Sequence, residues 1–525
     1  MTMSGTRKAM VVGEDGTEIS FEWVYEGAEA CTWMRDTEHW TSPMPPMELW
    51  LHQHWAAGAD RAWAEANMEP PSMFYRFQYA GPFLYARQTT YEPERMMRAA
   101  LRYREVAREY GGALMFWRSY CRPRIEQVCR DLAASDGSAP LLQTAELWGY
   151  GFHQTFTSLV PLFEPAMQLG AILGETIGEI SLDVAELTLA GENATQAIDS
   201  EIWELAELAR AVPAVTLLLA ADGDVVAALR HEPAASAFVA AFDALIRRHG
   251  SRAQGWELTS PTWRECPEAL LALVRARVES YGASPTDVAA SSTARQQAAK
   301  ERALAQLAEE KHAEFTKVLS QLDGYVNIRE DRAYWQMVLS GEMRGLLLRT
   351  GARLVASGRI DRPDDVLFLE PDDIETGAAS DLRSLVVERR REREVWRGVV
   401  APATIGTPAA AQMAVEAAPN ELRGSAASRG VVTGTARIIH SPEEGTRLRP
   451  GDIMVCVMST PAWTPLFAIA GGIVSETGGA LSHPAITARE YGIPAVVAVK
   501  DALARIRDGQ TVTVDGAAGV VRLEA

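Results

Sequence analysis

Residues 401–420, APATIGTPAAAQMAVEAAPN, divide the chain into two stretches of different texture. Eight of these twenty residues are Ala, a helical composition, but Pro402, Pro408 and Pro419 interrupt it, so a semi-extended linker is expected. Upstream, helix formers and helical spacing dominate. The residues from 285 to 323 read as one long helix that starts at Pro285 and Asp287 and stops at Gly324, and 201–218, 331–357 and 380–398 as further helices. RPDDVLFLEPDDI (362–374) reads as a strand or extended segment. Downstream, strand patterns at 430–440, 451–459, 493–499 and 511–523 alternate with a short helix and then a strand over 465–476 and a helix at 482–492. The expected architecture is multidomain. A mostly α-helical domain over 1–400, in one or two lobes, precedes the 401–420 linker and a small α/β domain over 421–525.

Charge follows the same division. The 525 residues carry a net charge of −18, yet residues 421–525 contain 10 basic and 10 acidic side chains, so the whole imbalance lies in 1–420. An acidic chain lacks the basic surface that nucleic-acid binding needs. No run of about 18 apolar residues suggests a membrane span, and the N-terminus lacks the apolar stretch of a secretory leader. Five cysteines without a CxxC pair fit a reducing cytoplasm.

The segment ETGGALSHPAITAREYG (476–492) carries the chemistry. Gly478 and Gly479 permit positive φ and close backbone approach. Ser482 occupies a helix N-cap, Pro484 suits the first turn and Gly492 ends the helix. His483 therefore sits at a helix N-terminus, where free N–H groups and the dipole favour the neutral, nucleophilic imidazole and stabilise a phosphoryl group attached to it. A histidine that merely caps a helix is the plain alternative.

Residues 422–523 resemble the swivelling phosphohistidine domain of the PEP-utilising enzymes, through GVVTGTAR, LRPGDIMV, TPAWTPLF, GGIVSETGGALSHPAITAREYGIPAV and DGQTVTVDGAAGVV in order. The resemblance implies that His483 carries a covalent phosphoryl group and that Thr477, Gly478, Gly479, Ser482 and Arg489 position the ring or the phosphate. Upstream, RHGSRAQGWELTSPTWRECP (248–267), residues 329–374 and TWMRDTEHWTSPMPPM (32–47) are similar to the acceptor domain of rifampin phosphotransferases. An acceptor domain followed by a His domain resembles the subunit of two-component aryl phosphate synthases, such as phenylphosphate synthase. These use ATP, water and a phenol to make the aryl phosphate, AMP and phosphate.

That resemblance implies a separate ATP-grasp subunit holding ATP and Mg2+, because residues 1–420 show no GxxxxGK[ST] or other glycine-rich phosphate loop and the sequence ends at Ala525. The acceptor is expected to be a phenol or small aromatic alcohol such as a cresol. Alternatives are a rifampin-type antibiotic phosphotransferase component and a non-catalytic phosphocarrier. Asp36, His39, His249, Arg252 and Glu257 are candidate acceptor-site residues, with Arg252 suited to phosphate oxygens. Trp23, Trp33, Trp40, Trp50, Trp55 and Trp63, followed by Phe74, Tyr75, Phe77, Tyr79, Phe83 and Tyr85, supply either an aromatic pocket or an aromatic core. His52 with His54, and Glu309 with His312, lack a matching second ligand set, and no metal site is expected from them.

Overall fold

The computed structural model describes residues 8–524 except 14, 24–26, 38, 41, 69–76, 89–92, 159–165, 167, 175–180, 190–193, 254, 281–282, 376–379, 408–419 and 481. The chain forms two compact units. One contains 1–160, 255–260 and 335–414; the other contains 161–254, 261–334 and 415–525. The boundaries differ from the expected division at 401–420, and the core of the second unit gives the reason.

The first unit mixes helices with six short strands that the helical reading of 1–400 did not anticipate. β1 (Lys8–Val12) and β2 (Glu18–Glu22) form an antiparallel pair. β3 (Thr32–Arg35), β4 (Phe77–Ala80), β5 (Phe83–Gln88) and β6 (Thr404–Gly406) form a sheet in the order β4-β5-β3-β6. Trp33, Phe83, Tyr85 and Ile405 share a core with Ile19 and Phe21. β6 lies within the expected linker; Ile405, buried opposite Trp33, pins it to the sheet. The remaining linker residues 408–419 lie outside the described residues, as do Phe74 and Tyr75.

Helices Pro46–His54, Ala56–Glu65 and Leu141–Phe156 also belong to this unit. The last two touch backbone to backbone. A Cβ on Gly58 would lie 1.8 Å from the Glu146 carbonyl oxygen, and one on Gly149 would lie 2.4 Å from that of Trp55. Residues 362–374, expected to be extended, form a 3-10 turn Pro363–Phe368 and a short helix Pro371–Glu375. Pro363 and Pro371 start these turns, and Asp365 Oδ2 accepts from the Arg362 amide (2.9 Å), so local capping overrides the apolar run.

The expected long helix from 285 to 323 is two helices. Pro285–Gln306 ends at an extended Leu307, and His312–Ala356 then runs through Gly324. Glycine costs a helix interior only about 1 kcal/mol relative to alanine, which the 45 residues of this packed helix absorb.

The second unit joins helices Ala194–Ala211, Ser236–His249 and Pro267–Ser280 to an eight-stranded sheet. The strands are β7 (Glu421–Arg423), β8 (Ser425–Ser428), β9 (Val431–Ile438), β10 (Ile453–Cys456), β11 (Gly472–Ser475), β12 (Ala495–Val497), β13 (Thr511–Asp515) and β14 (Val520–Leu523). Their order is β7-β14-β13-β9-β10-β11-β12-β8, with β9 to β12 parallel and the other pairs antiparallel. This bears out the α/β reading of 421–525. Along β10 the side chains alternate. Ile453 and Val455 join one core with Val474, Val496 and Val512, while Met454 and Cys456 join another with Ile473 and Val497. The second core continues into Ile202, Leu205, Phe242, Leu270 and Val274 of the helices. One continuous apolar core therefore groups these helices with the sheet.

A buried charge cluster reinforces that grouping. Arg277 Nη2 donates to both carboxylate oxygens of Asp199 (2.7 and 2.6 Å), and the Tyr491 hydroxyl donates to Asp199 Oδ2 (2.7 Å). Removing one member of such a pair strands the other charge in the interior. Asp199→Ala should lower the unfolding free energy of the second unit by about 3–5 kcal/mol in urea denaturation; Tyr491→Phe, which leaves the ion pair intact, should cost about 1 kcal/mol.

All five cysteines are free thiols. Among the described residues no helix is long and apolar enough to cross a membrane.

Candidate functional site

Helix His483–Tyr491 follows β11 through the loop 476–482, so its first residue stands beyond the carboxyl ends of parallel strands β10 and β11, where open α/β sheets place their ligands. The loop is tied down along its length. The amides of Glu476 and Thr477 donate to the carbonyls of Cys456 and Val457 (3.0 Å each), and Thr477 Oγ1 also donates to Val457 (3.0 Å). Gly478 has φ 107°, and a Cβ there would meet Ser482 Oγ at 2.6 Å. Ser482 holds the N-cap position with extended backbone, but its hydroxyl donates back to the Gly479 carbonyl (2.8 Å) instead of capping the first turn. Gly492 closes the helix at φ 69°.

Around the half-buried His483 ring the structure gathers four residues that sequence reasoning had not singled out. Ser459 Oγ lies 3.0 Å from Nδ1, while Thr487 Oγ1 and Thr464 Oγ1 lie 3.2 and 3.4 Å from Nε2. Phe467 packs edge-on at 6.0 Å between ring centroids. Thr487 was within reach of the sequence, since position i+4 on a helix faces position i. Thr464 and Phe467 lie in TPAWTPLF, whose meaning depends on the fold.

The ring is kept neutral. Burial first, then the positive charges of Arg252 and Arg329, push its pKa down to about 4, against the opposing pull of Glu330. Arg252 is itself 2% exposed, and its Nε and Nη2 have no hydrogen-bond partner among the described residues. Burial lowers its pKa to about 10, so it stays charged at neutral pH.

The mobile domain model of the PEP-utilising enzymes matches residues 448–519, and that of the rifampicin phosphotransferase fourth domain matches 154–330. The chain carries the mobile domain of the PEP-utilising enzymes. Within this mobile domain the helix bearing His483 follows the double glycine. The fourth-domain match covers most of the helical part of the same compact unit.

A rifampicin phosphotransferase of a Streptomyces species is 30% identical over 366 residues, which is 67% of this chain and 42% of the relative. The uncharacterized phosphotransferase YvkC of Bacillus subtilis is 37% identical over 210 residues, 37% of this chain and 25% of the relative. The chondramide synthase cmdD of Chondromyces crocatus is 30% identical over 424 residues, 73% of this chain and 10% of the relative. The chain thus spans less than half the length of these relatives.

The other expected site residues fall into three places. Arg489 donates to the carbonyls of Ala427 (2.7 Å) and Ala480 (2.6 Å), so it braces the loop and sheet of the mobile domain. His249 shares the second unit with His483; its Nδ1 meets the Tyr334 hydroxyl at 3.1 Å and its Nε2 meets Glu201 at 3.3 Å, while burial lowers its pKa. Asp36, His39 and Glu257 lie in the first unit. His39 Nδ1 contacts both Asp36 oxygens (3.2 and 3.1 Å), and Glu257 accepts from the Ser42 amide (2.9 Å) and the Thr259 hydroxyl (3.2 Å). Asp36, His39 and Glu257 thus belong to one compact unit, and His249 and Arg252 to the other.

Among the described residues no group of three or more His, Cys, Asp or Glu could hold a metal ion. His52 is enclosed by indole rings, and His312 Nε2 is engaged with the Leu307 carbonyl (3.1 Å).

The geometry predicts that the His483 imidazole titrates near pH 4 and not near the ordinary value for histidine. Removing the guanidinium in Arg252→Leu should raise that pKa, because a neighbouring positive charge disfavours imidazolium. Ring 15N shifts followed from pH 3 to 8 in both proteins read this directly.

Proposed function

We propose that the chain is a cytoplasmic phosphotransferase subunit in which His483 receives a phosphoryl group originating in ATP and delivers it to the hydroxyl of a phenol or small aromatic alcohol, such as a cresol. The observation that carries this reading is a neutral imidazole whose two nitrogens meet different hydroxyls beside a buried arginine whose Nε and Nη2 find no partner among the described residues. With the proton on Nδ1 donated to Ser459, the tautomer assigned from the shortest contact, the Nε2 lone pair is the nucleophile. It bonds to the β-phosphorus as the bridging P–O bond to AMP breaks and AMP leaves, and water then releases the γ-phosphate, so that one phosphoryl group remains on Nε2. The Thr464 and Thr487 hydroxyls then turn to the phosphoryl oxygens, and Arg252 offsets their charge. In the second step the acceptor oxygen bonds to phosphorus, the N–P bond breaks and the acceptor's proton passes to a base.

ATP and Mg2+ are assigned to an ATP-grasp partner subunit, a reading supported by the resemblance to two-component synthases. The mobile domain carries the phosphoryl group between donor and acceptor. The fourth-domain match and the 30% identity to a rifampicin phosphotransferase favour a second reading, in which the acceptor is an antibiotic hydroxyl.

The test combines the protein with an ATP-grasp partner, ATP labelled at the β-phosphorus, and a panel of phenols and rifampicin. Label should pass to protein and then to a phenol. His483→Ala should abolish both transfers, and Arg252→Leu should slow them by about 100-fold. Labelled product formed by His483→Ala would overturn the mechanism, label on rifampicin alone would select the second reading, and label that stays on the protein would make the chain a phosphocarrier.

A further inference from the structure

Helix Pro46–His54 in the first unit buries two ionisable side chains one turn apart, Glu48 at 1% and His52 at 2% exposure. Glu48 Oε1 accepts from Trp40 Nε1 (3.1 Å) and the Leu258 amide (3.0 Å). Its Oε2, both ring nitrogens of His52 and Nε1 of Trp148 have no partner among the described residues. Three indoles surround the imidazole. Trp40, Trp55 and Trp148 stand edge-on to it at centroid distances of 4.6, 4.5 and 5.1 Å.

Four buried polar atoms left empty would cost about 1–3 kcal/mol each, and native interiors avoid this unless something else satisfies them. Burial and the charge of Glu257 push the Glu48 carboxyl up to about 8, against the Leu258 amide, the Trp40 N–H and Arg393; burial pushes His52 down to about 3, against Asp36. Near neutral pH the cluster thus presents a protonated carboxyl, a neutral imidazole and an indole N–H. It offers donors and an acceptor but little net charge, between flat apolar walls. A charged ligand would lose its hydration without gaining a counter-ion. A ring bearing one hydroxyl matches this chemistry, its apolar face suited to the indoles and its hydroxyl to the polar atoms.

We propose that Glu48, His52 and Trp148, walled by Trp40 and Trp55, bind a small uncharged aromatic compound through its hydroxyl, which donates to His52 and accepts from Trp148 Nε1. Binding stands on these atoms alone; its role as the phosphoryl acceptor site rests on the phosphotransfer reading.

The test titrates the full chain carrying His483→Ala, which removes phosphotransfer, with phenol, p-cresol, toluene and benzoate. Tryptophan fluorescence and calorimetry are the readouts. Phenol and p-cresol should quench fluorescence and bind at least about 10-fold more tightly than toluene, since a site built to pair a hydroxyl rejects the analogue without one. Benzoate should bind more weakly than phenol. His52→Leu should weaken phenol binding about 10-fold while leaving toluene unchanged. His52→Gln, which keeps a hydrogen-bonding side chain, should recover part of the loss, and the exposed Gln53→Ala should bind as the parent does.

Equal affinity for toluene and phenol, unchanged binding in a folded His52→Leu, or no binding up to the solubility limit with only ordered water at these atoms in a crystal would overturn the proposal. Phenol binding without His483 phosphorylation would overturn the transferase reading and leave this site standing; phosphorylation of phenols with His52→Leu unaffected would do the reverse.

Discussion

Burying a guanidinium is expensive unless something negative meets it, and three buried arginines organise the second unit. Arg277, with no exposed surface, is neutralised by Asp199, which also holds Tyr491 at the end of the His483 helix. Arg489 donates to two main-chain carbonyls and fixes the loop that precedes His483. Arg252 stands beside His483, and its Nε and Nη2 find no hydrogen-bond partner among the described residues. The first two arrangements explain themselves as structure. The third places a positive charge that, after burial, helps to hold the neighbouring imidazole unprotonated. In the proposed reading the same charge answers the group that the nucleophile carries.

The mobile domain was legible because its sequence states each element locally. Alternating valines in β10 and β11 face two cores, and Pro484 and Gly492 mark the ends of the helix that begins at His483. The site behind His483 was less so. Ser459 and Thr464 reach the ring from a different segment, and no local pattern brings segments together. Arg252 stood out in sequence as suited to phosphate, but its lack of a partner is a fact of packing.

The region before residue 400 misled in more instructive ways. Short strands such as β3 and β6 pair across more than 370 residues, so Trp33 and Ile405 meet through contacts that periodicity cannot see. Gly324 fails to end a helix because a long packed helix tolerates one glycine, and the proline-started turns at 363 and 371 prevail over β-propensity. Asp36 and His39 meet in the structure; like His249 and Arg252 they were singled out by family-like segments, and the fold assigns those segments to different units. Glu48 drew no attention, and His52 drew it only as half of a His-x-His pair.

His483 and His52 are the two histidines whose contrast best separates the chain's proposed chemistry. Burial depresses both, so neither is charged at neutral pH. Their surroundings then diverge. His483 has hydroxyls on both nitrogens and arginines nearby, an environment that favours negative charge added to the ring. His52 has three indole edges and a carboxyl kept protonated one turn away, an environment that tolerates almost no net charge. A phosphoryl group bonded to the ring is therefore suited to the first, while an uncharged aromatic hydroxyl is suited to the second. In the proposed reading the same neutral imidazole serves as a nucleophile beside arginines, and as a hydrogen-bond acceptor among indoles.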